Sequence, residues 1–144
     1  MIAVDTNLLV YAHREDSPWH AVALRTLTEL AEGPMPWAIP WPCVHEFLAI
    51  VTHPRIYRPP TPMVIAIRAV RAWMESPTLR LLGEGPDHLD QLEKLVLVAK
   101  VEGPMVHDAR IAALCLSHGV RQLWSADRDF SRFPALKLKN PLVK

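Results

Sequence analysis

Short apolar runs and longer stretches with helical spacing alternate along this chain. Ile2-Ala3-Val4 is a continuous apolar run of buried-strand type, and it leads directly into a helix from about Asn7 to His13. A second helix is predicted to begin near Ser17, an N-cap residue followed by Pro18 at the first helical position. It carries Ala23, Leu24, Leu27 and Leu30, and Gly33-Pro34 ends it. Trp37-Ala38-Ile39 reads as a brief strand, and Pro42 starts a helix through Cys43, Glu46, Phe47 and Ile50 that stops before Pro54. From Thr61 another helix follows, with Met63, Ile67, Val70 and Met74 as its expected core stripe. Leu79 to Leu82 is a strand, Asp87 caps a helix through Leu92, Leu95, Val96 and Ala99, and Ala109 to Leu116 is helical. Leu123-Trp124-Ser125 and Leu136 to Leu138 are extended. Such alternation predicts an α/β domain with a parallel or mostly parallel sheet flanked by helices.

Four acids break this pattern at its boundaries. Asp5 closes the first strand, Glu46 interrupts Val44 to Val51, Asp108 opens its helix, and Asp127 follows Leu123-Trp124-Ser125, with Asp129 two residues on. In open α/β sheets ligands bind beyond the carboxyl ends of the strands, where Asp5 and Asp127 fall. Asp108 in a first helical turn and Glu46 one turn into its helix can reach the same edge. Two carboxylates about 4 Å apart repel by roughly 4 kcal/mol at an effective dielectric of 20, so convergence calls for a cation. An all-oxygen set suits magnesium or manganese; His107 and His118 are too dispersed for a zinc site.

Taken singly, each acid also has an ordinary reading. Asp108 suits a helix start, Glu46 a solvent-facing helix position, and Asp127 and Asp129 a turn in Ser-Ala-Asp-Arg-Asp. Asp5 is harder to explain alone, since an acid at a buried strand end needs partners.

Composition sharpens this picture. With 144 residues, 50% of them hydrophobic, the chain is expected to form one domain with a real core. Its formal charge of +1 points to neither a strongly basic nor an acidic protein. Were the five acids named above held by metal, 10 of the 15 acids would remain against 16 Lys and Arg, a surface able to attract a polyanion. The two cysteines, Cys43 and Cys115, lie in apolar helical contexts without CxxC spacing, and no signal peptide is evident. A cytoplasmic protein with reduced, core-packed thiols and no membrane span is expected. Arg55 to Pro62 is the one clear loop, with Arg55, Tyr57 and Arg58 among its prolines.

The ordered set Val4-Asp5-Thr6-Asn7, Val44-His45-Glu46-Phe47, His107-Asp108-Ala109-Arg110-Ile111-Ala112-Ala113 and Ser125-Ala126-Asp127-Arg128-Asp129-Phe130 spans nearly the whole chain. It resembles the PIN-domain ribonucleases and, within them, the VapC toxins of toxin–antitoxin pairs. That resemblance implies a three-layer α/β/α sandwich over residues 1–144 and metal-dependent endonucleolytic cleavage of RNA. Asp5, Glu46, Asp108 and Asp127 match the family's acids as catalytic residues and ligands of Mg2+ or Mn2+, with Asp129 as an auxiliary ligand. The two aspartates of the last motif leave the fourth ligand open. Thr6, Asn7 and Ser125 match supporting positions, although the family often has Thr where Ser125 stands. Such chemistry uses a metal-activated water for in-line attack, leaves a 5′-phosphate and a 3′-hydroxyl, and needs none of the seven histidines.

Substrate binding falls to other residues. Arg14, Arg55, Arg58, Arg110, Arg128 and Arg132 are candidates for RNA phosphates, and Trp19, Trp41 or Tyr57 for stacking a base. The resemblance further implies a homodimer and a cognate VapB-like antitoxin lying across the active-site groove. The helices Ala23 to Leu30 and Met63 to Met74 are candidates for such contacts as well as for core. Three other readings share these residues in part: an RNA-processing nuclease of the same fold that is not a toxin, a catalytically inactive metal- or RNA-binding module, and a receiver-type phosphotransfer domain. Receiver domains bring two acids together early and a Lys late, which this sequence does not do.

Overall fold

The computed structural model describes Met1–Val143. Five strands, β1 (Ile2–Val4), β2 (Trp37–Pro40), β3 (Leu79–Leu82), β4 (Gln122–Trp124) and β5 (Lys137–Lys139), form one sheet in the order β3-β2-β1-β4-β5. Every neighbouring pair is parallel. Helices α1 (Thr6–His13) and α2 (His20–Glu32) join β1 to β2, and α3 (Trp41–Val51) and α4 (Met63–Met74) join β2 to β3. Helices α5 (His88–Val98) and α6 (Val106–Ser117) return the chain past β1 to β4. The first two crossovers step in one direction and the third steps back. Right-handed connection therefore puts α1 to α4 on one face of the sheet and α5 and α6 on the other, giving an α/β/α sandwich.

The strand order reverses between β1 and β4, which makes a crevice at their carboxyl ends. All four residues of the inner strand β2 are buried, as continuous apolar strands covered on both faces require. Edge strand β5 instead exposes Lys137 and Lys139 around Leu138, which discourages further strand pairing. Helix α6 is buried along most of its length, and Ala109, Ala112 and Ala113 let it lie close to its neighbours. It ends at Gly119, whose φ of 75° is the left-handed conformation that glycine adopts without a Cβ clash. There the Val120 N–H donates to the Cys115 carbonyl at 2.8 Å and the Gly119 N–H to the Leu116 carbonyl at 3.2 Å. This pair of bonds is a Schellman motif, and it turns the chain from α6 into β4.

Three local expectations change. Helix α2 starts at His20, not near Ser17, because the Ser17 hydroxyl accepts the Trp19 N–H at 3.1 Å and holds a turn before the helix. Asp87 stands at the N-cap of α5 without a side-chain capping bond. The expected core stripe of α4 is rotated: Ala66 and Val70 are buried and Trp73 packs edge-on against Phe47, while Met63, Ile67 and Met74 are 51%, 37% and 49% exposed. On α2, Ala23 and Leu27 are buried but Leu24 is exposed. Among the described residues no helix is long and apolar enough to cross a membrane.

Candidate active site

Strand pairing carries two side chains to one point. The Asp5 N–H extends the β1–β4 ladder by donating to the Trp124 carbonyl at 3.0 Å, which sets Asp5 beside Ser125. Both are buried, at 5% and 1% exposure. The Ser125 hydroxyl donates to Asp5 Oδ2 at 2.7 Å and accepts the Asn7 amide at 3.2 Å and the Asp127 N–H at 2.9 Å. Asn7 also reaches Asp5 Oδ2 at 3.4 Å and accepts the Ala126 N–H on its Oδ1 at 3.2 Å. One hydroxyl and one amide thus lock the start of α1 to the end of β4 and fix the Asp5 rotamer. Thr6 donates to Glu46 Oε2 at 3.1 Å, tying α1 to α3.

The acids fall into two sets. Asp108, Asp127 and Asp129 each offer a carboxylate oxygen, and these lie within 4.8 Å of one another. Asp127 Oδ1 accepts the Asp129 N–H at 2.9 Å, so the short 3₁₀ turn Arg128–Arg132 presents both aspartates together. Asp5 and Glu46 stand outside that trio but close enough for their charges to act on it. Burial first, and then the negative charges of Asp127, Asp5, Asp129 and Glu46, together raise the Asp108 carboxyl to about 6. Asp5 is raised mainly by burial, against the hydrogen bonds from Ser125, the Thr6 backbone and Cys43. The Glu46 side chain reaches solvent, yet loss of water around its carboxylate still raises it, with Asp5 adding and the Thr6 hydroxyl, His107 and Arg110 opposing.

Among the described residues the two ion pairs are Arg14–Asp16 and Arg110–Glu84, and neither neutralises the five acids. A crevice that crowds carboxylates, half-shields them and gives none of them an ion-pair partner favours a cation. Three convergent oxygens with no sulfur or imidazole among them fit a hard divalent ion better than zinc.

The candidate RNA ligands are dispersed. Arg110 lies two residues beyond Asp108, with Nε and Nη2 both held by Glu84 Oε1 at 2.5 Å. Arg128 and Arg132 are exposed around the last acidic motif, and Arg55 and Arg58 are exposed on the loop after α3. Arg14 is used structurally. It binds Asp16 at 2.9 and 2.6 Å, the Pro59 carbonyl at 3.0 Å and Thr61 at 3.2 Å, and lies 4.3 Å from the centroid of the Tyr57 ring. It follows the C-terminal end of α1, roughly 12 Å along the helix from the acids. The structure therefore does not bring Arg14 into the crevice, and the Arg14 guanidinium covers one face of Tyr57.

Two residues of the site escape sequence reasoning. Cys43, expected as core, is buried but also directs its S–H toward Asp5 Oδ1 at 3.5 Å, and burial with the Asp5 charge pushes its thiol well up. Nothing in the spacing signals this. Glu84, which anchors Arg110, follows strand β3 closely, the same placement that singles out Asp5 and Asp127.

Known proteins are similar to this chain in sequence and in fold. Ribonuclease VapC43 of Mycobacterium tuberculosis is 35% identical over 142 residues, covering 99% of this chain and 96% of the relative. Ribonuclease VapC48 of the same organism is 29% identical over 137 residues, covering 95% and 94%. In fold, the chain superposes on the crystal structure of VapBC2 from Rickettsia felis bound to a promoter DNA fragment with a TM-score of 0.70, at 19% identity and 97% and 98% coverage. Residues 2–136 match the PIN domain. With residues 2–136 matched and a VapC relative 35% identical over nearly its full length, the chain belongs to the PIN-domain family, among relatives that are VapC ribonucleases.

Proposed function

We propose that this protein is a divalent-cation-dependent endoribonuclease, formed by one domain over residues 1–144, and the toxin of a VapBC-type pair. The observation that carries the reading is the unneutralised acidic crevice: three carboxylates within 4.8 Å, with the charges of Asp5 and Glu46 beside them. Asp108, Asp127 and Asp129 would hold the cation, Mg2+ or Mn2+, with Asp5 and Glu46 completing its surroundings. A bound divalent cation would polarise a phosphodiester and acidify a water for in-line attack. The chain's own work is orientation: Ser125 and Asn7 fix Asp5, and Thr6 fixes Glu46. Arg110, held by Glu84, is placed to meet a phosphate next to the crevice.

Partners follow from the relatives. VapBC2 is a toxin–antitoxin complex, and FitAcB from Neisseria gonorrhoeae shares the fold at a TM-score of 0.68. By that relationship the chain acts in the cytoplasm as a homodimer and is restrained by a VapB-like antitoxin. Incubating purified, antitoxin-free protein with structured RNAs in Mg2+, in Mn2+ and in EDTA tests the reading. Cleavage in either metal that EDTA abolishes is expected; RNA left intact under all three conditions would end it. Expression of the chain alone should arrest a bacterial host, and Asp5→Asn should not.

A further inference from the structure

Of the three aromatic residues that the sequence offers for stacking on a base, Trp19 and Trp41 are exposed and Tyr57 is half-buried. Tyr57 has one face covered by the Arg14 guanidinium. Trp19 stands at the start of α2, in the connection that follows the C-terminal end of α1. Trp41 is different. It is the first residue of α3, directly after Pro40 at the carboxyl end of β2, and is 36% exposed.

What surrounds Trp41 links it to the crevice. A Cβ built on Gly83 would stand 3.5 Å from its indole Cδ1, so the ring lies against the loop that follows β3. The next residue of that loop, Glu84, holds Arg110. The positive charge of Arg110 in turn reaches Glu46. A continuous strip therefore runs from the acids, through a guanidinium, to an exposed indole. His45, one turn along α3, stacks its ring on Trp41 with centroids 6.1 Å apart and planes 29° from parallel, which stiffens the indole. Beyond them lies a hollow of about 350 Å³ that Trp41 and His45 share with Leu48, Ile67, Arg71 and Met74. Its size suits a small planar group. Its aromatic wall and Arg71 suit a base carried on a phosphate backbone.

We propose that Trp41, backed by His45, is the stacking platform for a nucleobase of single-stranded RNA adjoining the scissile phosphate. The identity of this ligand rests on the nuclease reading; the platform itself is read from the strip and the hollow. Stacking favours unpaired bases and carries little sequence preference, so it selects loops over duplexes.

The test is binding of fluorescein-labelled single-stranded 12-mers, oligo(A) and an abasic counterpart, followed by anisotropy in Ca2+. The wild type is compared with Trp41→Ala and Trp41→Phe. Trp41→Ala is expected to weaken oligo(A) binding about fivefold or more, Trp41→Phe by less than twofold, and neither to change binding of the abasic strand. Rescue by Phe separates stacking from damage to the fold. Equal affinity of wild type and Trp41→Ala for oligo(A) would overturn the proposal, as would an equal loss on the abasic strand or no binding of oligo(A) by the wild type. A change only in the mass in solution would overturn it too, marking the face as a protein interface. The intended pattern of affinities without cleavage of any RNA in Mg2+ would sustain the platform while removing the nuclease reading.

Discussion

The two ends of α1 are both crowded with charged groups, and they are handled in opposite ways. At the C-terminal end, Arg14 is matched by Asp16, Pro59, Thr61 and the Tyr57 ring. At the N-terminal end, Asp5 and its acidic neighbours have hydroxyl, amide and thiol donors but no ion-pair partner. The first arrangement stabilises the fold by joining α1 to a loop more than 40 residues away. The second holds like charges together and works against stability until something positive binds. Charge that is answered within the chain is structural; charge left unanswered marks where the chain meets another molecule.

The largest expected effect comes from breaking the unanswered end. Asp5→Asn, Glu46→Gln and Asp108→Asn should each lower metal-dependent RNA cleavage by about tenfold or more with unchanged circular dichroism. Wild-type rates in all three would sink the assignment. Within the last motif Asp127→Asn should lose more activity than Asp129→Asn, because Asp127 also caps the 3₁₀ turn that presents both. The reverse order, measured in the same assay, would make Asp129 the principal ligand.

At the answered end, Arg14→Ala should cost about 2 kcal/mol, lowering Tm by about 4–8 °C. The rate per folded molecule should stay near that of the wild type. A lost rate with an unmoved Tm would make Arg14 a substrate ligand after all.

The pH dependence of stability should differ between the ends as well. Asp108 has a folded value raised to about 6 from 3.8, so its contribution is fully present below about 4 and is lost as pH rises through 6. Asp5 and Glu46 act in the same direction. Asp16 is lowered by its bond from Arg14, so its contribution is present above the ordinary carboxylate range and is lost as pH falls. Scanning calorimetry in EDTA at pH 7.5 should therefore show Asp108→Asn about 2–4 °C more stable than wild type, after allowance for solvent screening. It should also show a smaller gain when Mg2+ is added. Identical melting curves for the two proteins, with and without Mg2+, would mean that the acids do not act together.

The smallest effect concerns the thiols. Burial pushes Cys115 up to about 12 and Cys43 well above the ordinary thiol range, so neither should react with iodoacetamide in the folded protein at pH 8. Rapid labelling followed by mass spectrometry would show that the floor beneath Asp5 is open to solvent.

The strands and the placement of the acids were legible because each acid closes, interrupts or opens an apolar run or follows one, and a parallel sheet leaves few places for such a residue to go. Asp5 is the clearest case: a buried carboxylate after Ile2-Ala3-Val4 needs partners, and its shortest hydrogen bond comes from Ser125, 120 positions away. The buried stripe of α4 was not legible. Met63, Val64, Ile65, Ala66 and Ile67 are apolar on every side, so spacing cannot choose a face, and the contact of Trp73 with Phe47 decides it. Arg14 could not be separated from an RNA ligand because its partners at Pro59 and Thr61 are set only by the tertiary fold. The role of Cys43 was hidden for the same reason, its acceptor lying 38 positions away.

The bond from Ser125 to Asp5 spans 120 positions. Contacts so distant in sequence close late, after shorter-range structure has reduced the entropy of bringing them together. No chain that stops before Ser125 can complete the crevice, whatever its N-terminal half has folded into. On the proposed reading, a ribosome making this protein is therefore shielded from its product by topology alone through most of translation. The interval in which a partner must capture the product begins only when the last acidic motif has emerged.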